Sequence, residues 1–307
     1  MRNSLKAAIA ATAVASFIVL GVADQSAAID PGAVKKGGAA DGTTAAATTT
    51  TAATTTKAKL GMSAPASTWD QRVKEVGPGL EARRIFLTSF TAGLSLPTKA
   101  CNAGMYPVIS FKPGSYSWSQ VAAGQADSEL KAMATKLAAL PCDVFVAVAH
   151  EPFGDGAPAD WAKMQAHALP ILGADAGVKV GVIANGWFWS STNKGLSDAE
   201  IAQYIPQSVI NVSDVIAGDT YQSSVTGETA GTKMKNMGAW ARRVGGVKAL
   251  GVGEFNAPTA AGITDGTKAL AADPLFAWGC LWNANQNFAT VLTGDRLTAF
   301  KQALAAW

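Results

Sequence analysis

The sequence predicts a (β/α)8 barrel, and three observations carry that reading. Between residues 60 and 307, eight short apolar runs alternate with eight amphipathic stretches. The 248 residues they occupy match the roughly 250 that such a barrel takes. The fourth run, DVFVAVAHEP (143–152), is apolar at successive positions, as a strand covered on both faces must be, and parallel sheets are covered on both faces. No G-x-G-x-x-G follows the first run. The open dinucleotide-binding sheet, the other home for alternating strands and helices, therefore lacks its signature.

Taken in order, the first run is LGMSAP (60–65), followed by WDQRVKEVG. ARRIFLTSF (82–90) is the second, with a weaker helical stretch ending near Ala103. MYPVISFKP (105–113) is the third, and SELKAMATKLAAL (128–140) after it has the i, i+3, i+4 apolar spacing of a helix with one buried face. PADWAKMQAHALPIL (158–172) follows the fourth run as a helix that Pro170 is expected to end or kink. VKVGVIANGWFW (178–189) is the fifth run. Its helix, SDAEIAQYI (197–205), opens on Ser197 with Glu200 three residues on, the spacing of a capping box. VIAGDTYQ (215–222) leads to GTKMKNMGAWARRVG (231–245), and ALGVGEFNAP (249–258) to DGTKALAAD. LFAWGCLWNA (275–284) is the eighth run, and TGDRLTAFKQALAAW (293–307) closes the chain as a helix.

The barrel is preceded by two segments of other composition. Residues 1–28 have the parts of a secretory signal: Arg2 and Lys6, an apolar stretch from Ala7 to Ala23, and small residues at Ser26–Ala28. Residues 29–59 are Ala-, Thr- and Gly-rich with no aromatics, a composition that predicts a disordered tether. Removal of the leader implies a secreted, extracellular protein without a membrane span. The tether's four Lys against two Asp suit it to an anionic cell-wall surface. Residues 60–307 hold 19 basic and 19 acidic groups. The barrel therefore offers no excess charge to a phosphate backbone, and nucleic acid is excluded as its partner.

Export implies an oxidising compartment. Of the three cysteines, Cys101 and Cys142 each lie just upstream of an expected strand, at one end of the sheet, and are expected to pair. Cys280 lies in an apolar run and reads as a buried thiol. With no C-x-x-C and only His150 and His167, the chain lacks the usual ligand set for a metal; no cofactor is expected.

In a barrel of this kind the active site gathers at the C-terminal ends of the strands. Only seven Glu occur in the chain, and two of them, Glu151 and Glu254, directly follow the fourth and seventh apolar runs. A single such Glu reads equally well as half of a rim ion pair. Two on opposite sides of one mouth suit glycoside hydrolysis, which needs one carboxyl to give a proton and one carboxylate to attack carbon. Trp187, Trp189, Tyr221, Trp282, Tyr116 and Trp118 also fall at or just past strand ends, where flat rings with a polar edge can stack on sugars. Trp69, Trp161, Trp240 and Trp307 belong to helices, and Trp278 to the core.

At these residues the sequence resembles clan A glycoside hydrolases, barrels with an acid/base Glu on the fourth strand and a nucleophile Glu on the seventh. Most of that clan has Asn before the acid/base Glu. Here His150 stands there, and the His-Glu pair is similar to glycoside hydrolase family 26, best known for endo-β-1,4-mannanases. The resemblance implies a retaining enzyme with Glu151 as acid/base and Glu254 as nucleophile. It implies that Tyr221 orients the nucleophile, and that His150, Asp219, Trp187, Trp189 and Trp282 bind substrate. The chain departs from the family in lacking an Arg shortly before His-Glu, since Phe145–Ala149 are all apolar, and in reading Pro152-Phe153-Gly154-Asp155 after it. The expected partner is a neutral poly- or oligosaccharide, acted on by a monomer. A non-catalytic carbohydrate-binding barrel on the cell surface is the alternative.

Overall fold

Eight parallel strands close on themselves in sequence order. They are β1 (Lys59–Ser63), β2 (Ala82–Leu87), β3 (Tyr106–Phe111), β4 (Val144–Val148), β5 (Val178–Asn185), β6 (Val215–Tyr221), β7 (Leu250–Asn256) and β8 (Phe276–Trp282). The closing seam pairs β1 with β8 from Lys59↔Trp278 to Ser63↔Trp282. The computed structural model describes residues 57–192, 195–223, 226–285 and 290–307. The leader expected at 1–28 and the tether expected at 29–59, all but its last three residues, lie outside the described residues.

The strands close into a barrel under helices with both faces of the sheet covered and mostly apolar. Inward-facing Ala82, Val108, Phe145, Ala147, Ile183, Val215, Ala217, Trp278 and Cys280 fill the interior. Phe145 and Trp278 meet across it with centroids 4.8 Å apart. The outward residues of the same strands, such as Val144, Val146 and Val148, pack in the larger cluster under the helices. The interior is thus a packed plug, and its upper layer is the floor of the mouth. Cys280 is buried as a free thiol in that plug.

The helices are α1 (Trp69–Val76), α2 (Ser95–Asn102), α3 (Trp118–Ala122), α4 (Asp127–Ala138), α5 (Pro158–Leu172), α6 (Asp198–Tyr204), α7 (Gln207–Val212), α8 (Ala230–Val244), α9 (Ala260–Ala272) and α10 (Gly294–Ala306). The Ser197–Glu200 capping box opens α6. Two short helices, α3 and α7, have no counterpart in the sequence reading; Ser117 and Gln120 cap α3 with a second box. Pro170 does not end α5, which runs on to Leu172 and stops at Gly173. Cys101, at the end of α2, is disulfide-bonded to Cys142 ahead of β4, with Cα atoms 5.5 Å apart. His167 on α5 and Asp127 on α4 are joined at 2.7 Å.

Every expected run outlasts its strand, and the fourth and fifth do so most, by four residues each, where it matters for the site. The fourth run stops pairing at Val148, so His150 and Glu151 lie just past β4. The fifth stops at Asn185, and Gly186–Trp189 forms a 3₁₀ turn.

Candidate active site

The chain leaves β4 through an unusual backbone. Ala149 has φ 47° and Glu151 φ 53°, a left-handed conformation that costs L-residues free energy and persists only where neighbours hold it. Ala149 N–H donates to Phe111 O at 2.9 Å, and Glu151 N–H to Ile183 O at 2.9 Å, which continues the ladders to β3 and β5. From α5, Trp161 Nε1 donates to Ala149 O at 2.8 Å and Gln165 Nε2 to Val148 O at 2.7 Å. The two twisted residues turn His150 and Glu151 towards the mouth. His150 Nδ1 lies 3.2 Å from Ser110 Oγ, and its ring is 5.4 Å from that of Phe86.

Glu254 reaches the mouth by a different device. Gly251 faces the interior against Trp278, and strict alternation from it would make Gly253 inward and Glu254 outward. The pairing of β6 with β7 slips here, from Gly218↔Val252 to Asp219↔Glu254. The extra residue, Gly253, is a β-bulge that re-aims the next side chain. Glycine is required there, since a Cβ would lie 2.3 Å from Asp219 Oδ1. The inward Glu254 accepts a hydrogen bond from Tyr221 Oη. Its other oxygen lies 4.0 Å from Arg84 Nε.

These surroundings separate the two carboxyls. Burial pushes Glu151 up to about 7, the charge of Glu254 adds to the rise, and Arg84 and Lys112 oppose it. Burial also raises Glu254, but there Arg84 and the Tyr221 hydroxyl oppose the rise. With one proton between them, the charge rests on Glu254, which has a hydrogen-bond donor as well as a cation, and the proton on Glu151. Burial, with the charges of Arg84 and Lys112, lowers His150 to about 3, so its imidazole is neutral at ordinary pH. Tyr221 is itself held well above its usual range by burial and by Glu254, which keeps its proton available to the carboxylate. Lys233 Nζ donates to Tyr221 O at 2.7 Å and fixes that strand end.

The remaining expected residues divide. Trp187, just past β5, and Trp282, at the end of β8, are both half-buried. Trp189, expected beside Trp187, is turned into the protein instead of the mouth. It is only 3% exposed, packs on Trp240 at 5.5 Å, and fits so closely over Gly218 that a Cβ there would be 2.6 Å from its ring. The 3₁₀ turn explains this, because residues two apart diverge there, whereas on a strand they share a face. Asp219 lies deeper than the rim. It is 4% exposed, one layer below Tyr221, where burial first and then the charges of Glu254 and Glu151 push it well above the usual carboxylate range. Tyr116 Oη donates to Glu129 on α4 at 3.1 Å, and Trp118 packs on Gly156.

Arg84, Phe86, Ser110 and Phe153 are additions that the sequence reading lacks. Arg84 is 1% exposed and lies 4.2 Å over the Phe86 ring. It places a cation beside Glu254 from β2, where no Arg precedes His-Glu on β4. The signal was its place in the inward series Ala82, Arg84, Phe86 of β2. Phe153 follows Glu151 by two residues; its N–H donates to Asn185 Oδ1 at 3.0 Å, and its ring meets that of Trp187 at 4.7 Å.

No protein-family model and no curated protein matches the sequence. Solved structures do match. The barrel is similar to fungal β-1,4-galactanases, at 13% identity over 80% of this chain and 100% of theirs, with a TM-score of 0.58. It is also similar to the GH26 domain of an endo-β-mannanase/endo-β-glucanase from Prevotella bryantii, at 10% identity over 81% of this chain and 88% of that one, with a TM-score of 0.55. A modular endo-β-1,4-mannanase of glycoside hydrolase family 26 from Cellulomonas fimi matches at 18% identity and a TM-score of 0.47, over 68% of this chain. This chain spans about half the length of that enzyme, 55%, and the overlap is too partial to carry an argument. The likeness is one of fold: the barrel found in these glycan-cleaving enzymes is the barrel of this chain.

Proposed function

We propose that this protein is an exported, retaining β-glycoside hydrolase that cleaves a neutral β-glycan, with β-1,4-mannan as the first candidate. The observation that carries the proposal is a pair of carboxyls on opposite strands, one raised to about 7 and one held by Arg84 and Tyr221. In the first step Glu254 attacks the anomeric carbon, the glycosidic C–O bond breaks, and the leaving oxygen takes the proton of Glu151. In the second, water attacks the same carbon, gives its proton to Glu151, and releases Glu254 from the ester. His150, neutral and anchored on Ser110, is placed to meet sugar hydroxyls. The barrel's charge balance suits an uncharged polymer. The likeness to galactanase and mannanase barrels supports the substrate class. The leader supports export, and the basic tether supports retention at the cell wall.

The test is hydrolysis of β-1,4-manno-, gluco- and xylo-oligosaccharides and of β-1,3-glucan by wild type, Glu151→Ala and Glu254→Ala. Both variants lose most activity, and azide restores Glu254→Ala with a glycosyl azide of inverted configuration. Rescue of Glu151→Ala alone would reverse the roles. A wild type that binds these glycans without turning any over would replace the enzyme with a binding barrel.

A further inference from the structure

A cavity of about 310 Å³ lies where β1, β2 and β8 meet, lined by Ser63, Pro65, Arg83, Arg84, Phe86 and Trp282 among others. Strand pairing sets these residues side by side. Met62 is in register with Arg83, and Ser63 with Arg84 on one side and Trp282 on the other. Phe86, whose ring is 5.4 Å from that of His150, brings the cavity to the edge of the mouth. No acidic residue lines it.

The polar groups of this cavity are left unsatisfied. Ser63, Arg83 and Arg84 are 1%, 5% and 1% exposed. Among the described residues Ser63 Oγ, Arg83 Nε, and Nε and Nη2 of Arg84 have no hydrogen-bond partner. Arg84 at least faces a counter-charge, Glu254 at 4.0 Å, and its Nη1 donates to Ile85 O and Val108 O at 3.4 Å. The Arg83 guanidinium forms no ion pair among the described residues; it lies 3.9 Å over the Trp69 ring. Burial lowers its pKa, and the charge of Asp70 opposes this from beyond ion-pair distance. A buried cation costs free energy unless it is paired, and a ring face offsets only part of that cost. Two guanidinium groups against one carboxylate leave one positive charge in excess. Guanidinium forks match the plane of a carboxylate, and the apolar walls of Pro65, Phe86 and Trp282 suit a ring that carries it better than a bare ion.

We propose that this cavity binds the carboxylate of a uronic acid carried as a substituent on an otherwise uncharged β-glycan, with Arg83 as its counter-ion and Ser63 as a second donor. The identity of the ligand as a sugar acid rests on the glycoside hydrolase reading above; the carboxylate site rests on the unpaired guanidinium alone.

The test is isothermal titration calorimetry of the full chain at pH 7 with glucuronate, glucose and acetate. Glucuronate binds wild type at least about tenfold more tightly than either of the others. Arg83→Met weakens glucuronate by about ten- to a hundredfold and leaves glucose unchanged. Arg83→Lys keeps the charge without the fork and falls between, and Ser63→Ala weakens glucuronate by about threefold. Melting temperatures show which variants are folded, and Arg83→Lys and Ser63→Ala carry the test if Arg83→Met is not. Glucuronate that binds no better than glucose, or that binds the Arg83 variants as it binds wild type, overturns the site. Acetate as tight as glucuronate overturns the sugar acid and assigns the cavity to a free carboxylate. A wild type inert on every glycan that still binds glucuronate through Arg83 removes the proposed hydrolase and supports the carboxylate site.

Discussion

Replacing Glu151 with Gln should stabilise the protein at neutral and alkaline pH while removing most of its activity. The folded carboxyl titrates at about 7 and the reference value is 4.5. Between those values the folded chain holds a proton that the unfolded chain has lost, so stability falls as pH rises through that window. At about 1.4 kcal/mol per pH unit the window sets a ceiling of about 3 kcal/mol. Glu151 is only partly buried, and water at the carboxylate reduces this to about 1–2 kcal/mol. Gln has the size of the protonated acid and never acquires the buried charge. Wild type and Glu151→Gln should therefore have nearly equal unfolding free energies at about pH 4 and diverge in favour of the variant up to about pH 8. Urea denaturation at four or five pH values measures this. A difference that stays constant with pH, or that grows in favour of wild type, refutes the reasoning.

The same titration governs turnover: kcat/KM should fall above about pH 7, where the donor loses its proton, and a flat profile to pH 9 would remove Glu151 as the acid. Arg84→Met takes away the cation 4.0 Å from Glu254. Its acid limb should move to higher pH, because the carboxylate is less stabilised, and kcat should drop about a hundredfold; an unmoved limb would detach Arg84 from the nucleophile. Replacing Cys101 and Cys142 together with Ser opens a loop with a sequence separation of 41 and should cost about 2–4 kcal/mol. A reductant should then lower the melting temperature of wild type but not of the double variant.

The barrel was legible because its evidence is repeated eight times. No single apolar run identifies a strand, but eight of them separated by amphipathic stretches leave few other arrangements. Within α5 the expectation that Pro170 ends or kinks the helix overweighted one residue, since the helix runs on to Leu172. Glu151 and Glu254 were legible for a related reason: each is a rare residue directly after an apolar run. Their route into the mouth was not. Glu254 sits on what strict alternation makes the outward side of β7, and only the slip at Gly253 turns it in. Sequence reading thus put Glu254 at the end of an apolar run without containing the backbone feature that turns it inward.

The expected residues that lie away from the rim do so for two reasons. Trp187 and Trp189 read as one face of a strand, yet the strand stops at Asn185 and the 3₁₀ turn sends Trp189 against Trp240. Asp219 and Tyr221 do share a face, but depth along the barrel separates them: Tyr221 reaches Glu254 at the rim, and Asp219 stays in the layer beneath. Period tells direction and not depth. Arg84 escaped because the carboxylate it faces is distant in sequence. Its counter-charge stands 170 residues away on β7, at 4.0 Å. A buried guanidinium is tolerable only because the barrel closes and brings that carboxylate to it. The same closure lets the cation hold Glu254 ionised while Glu151, farther from such support, keeps the proton.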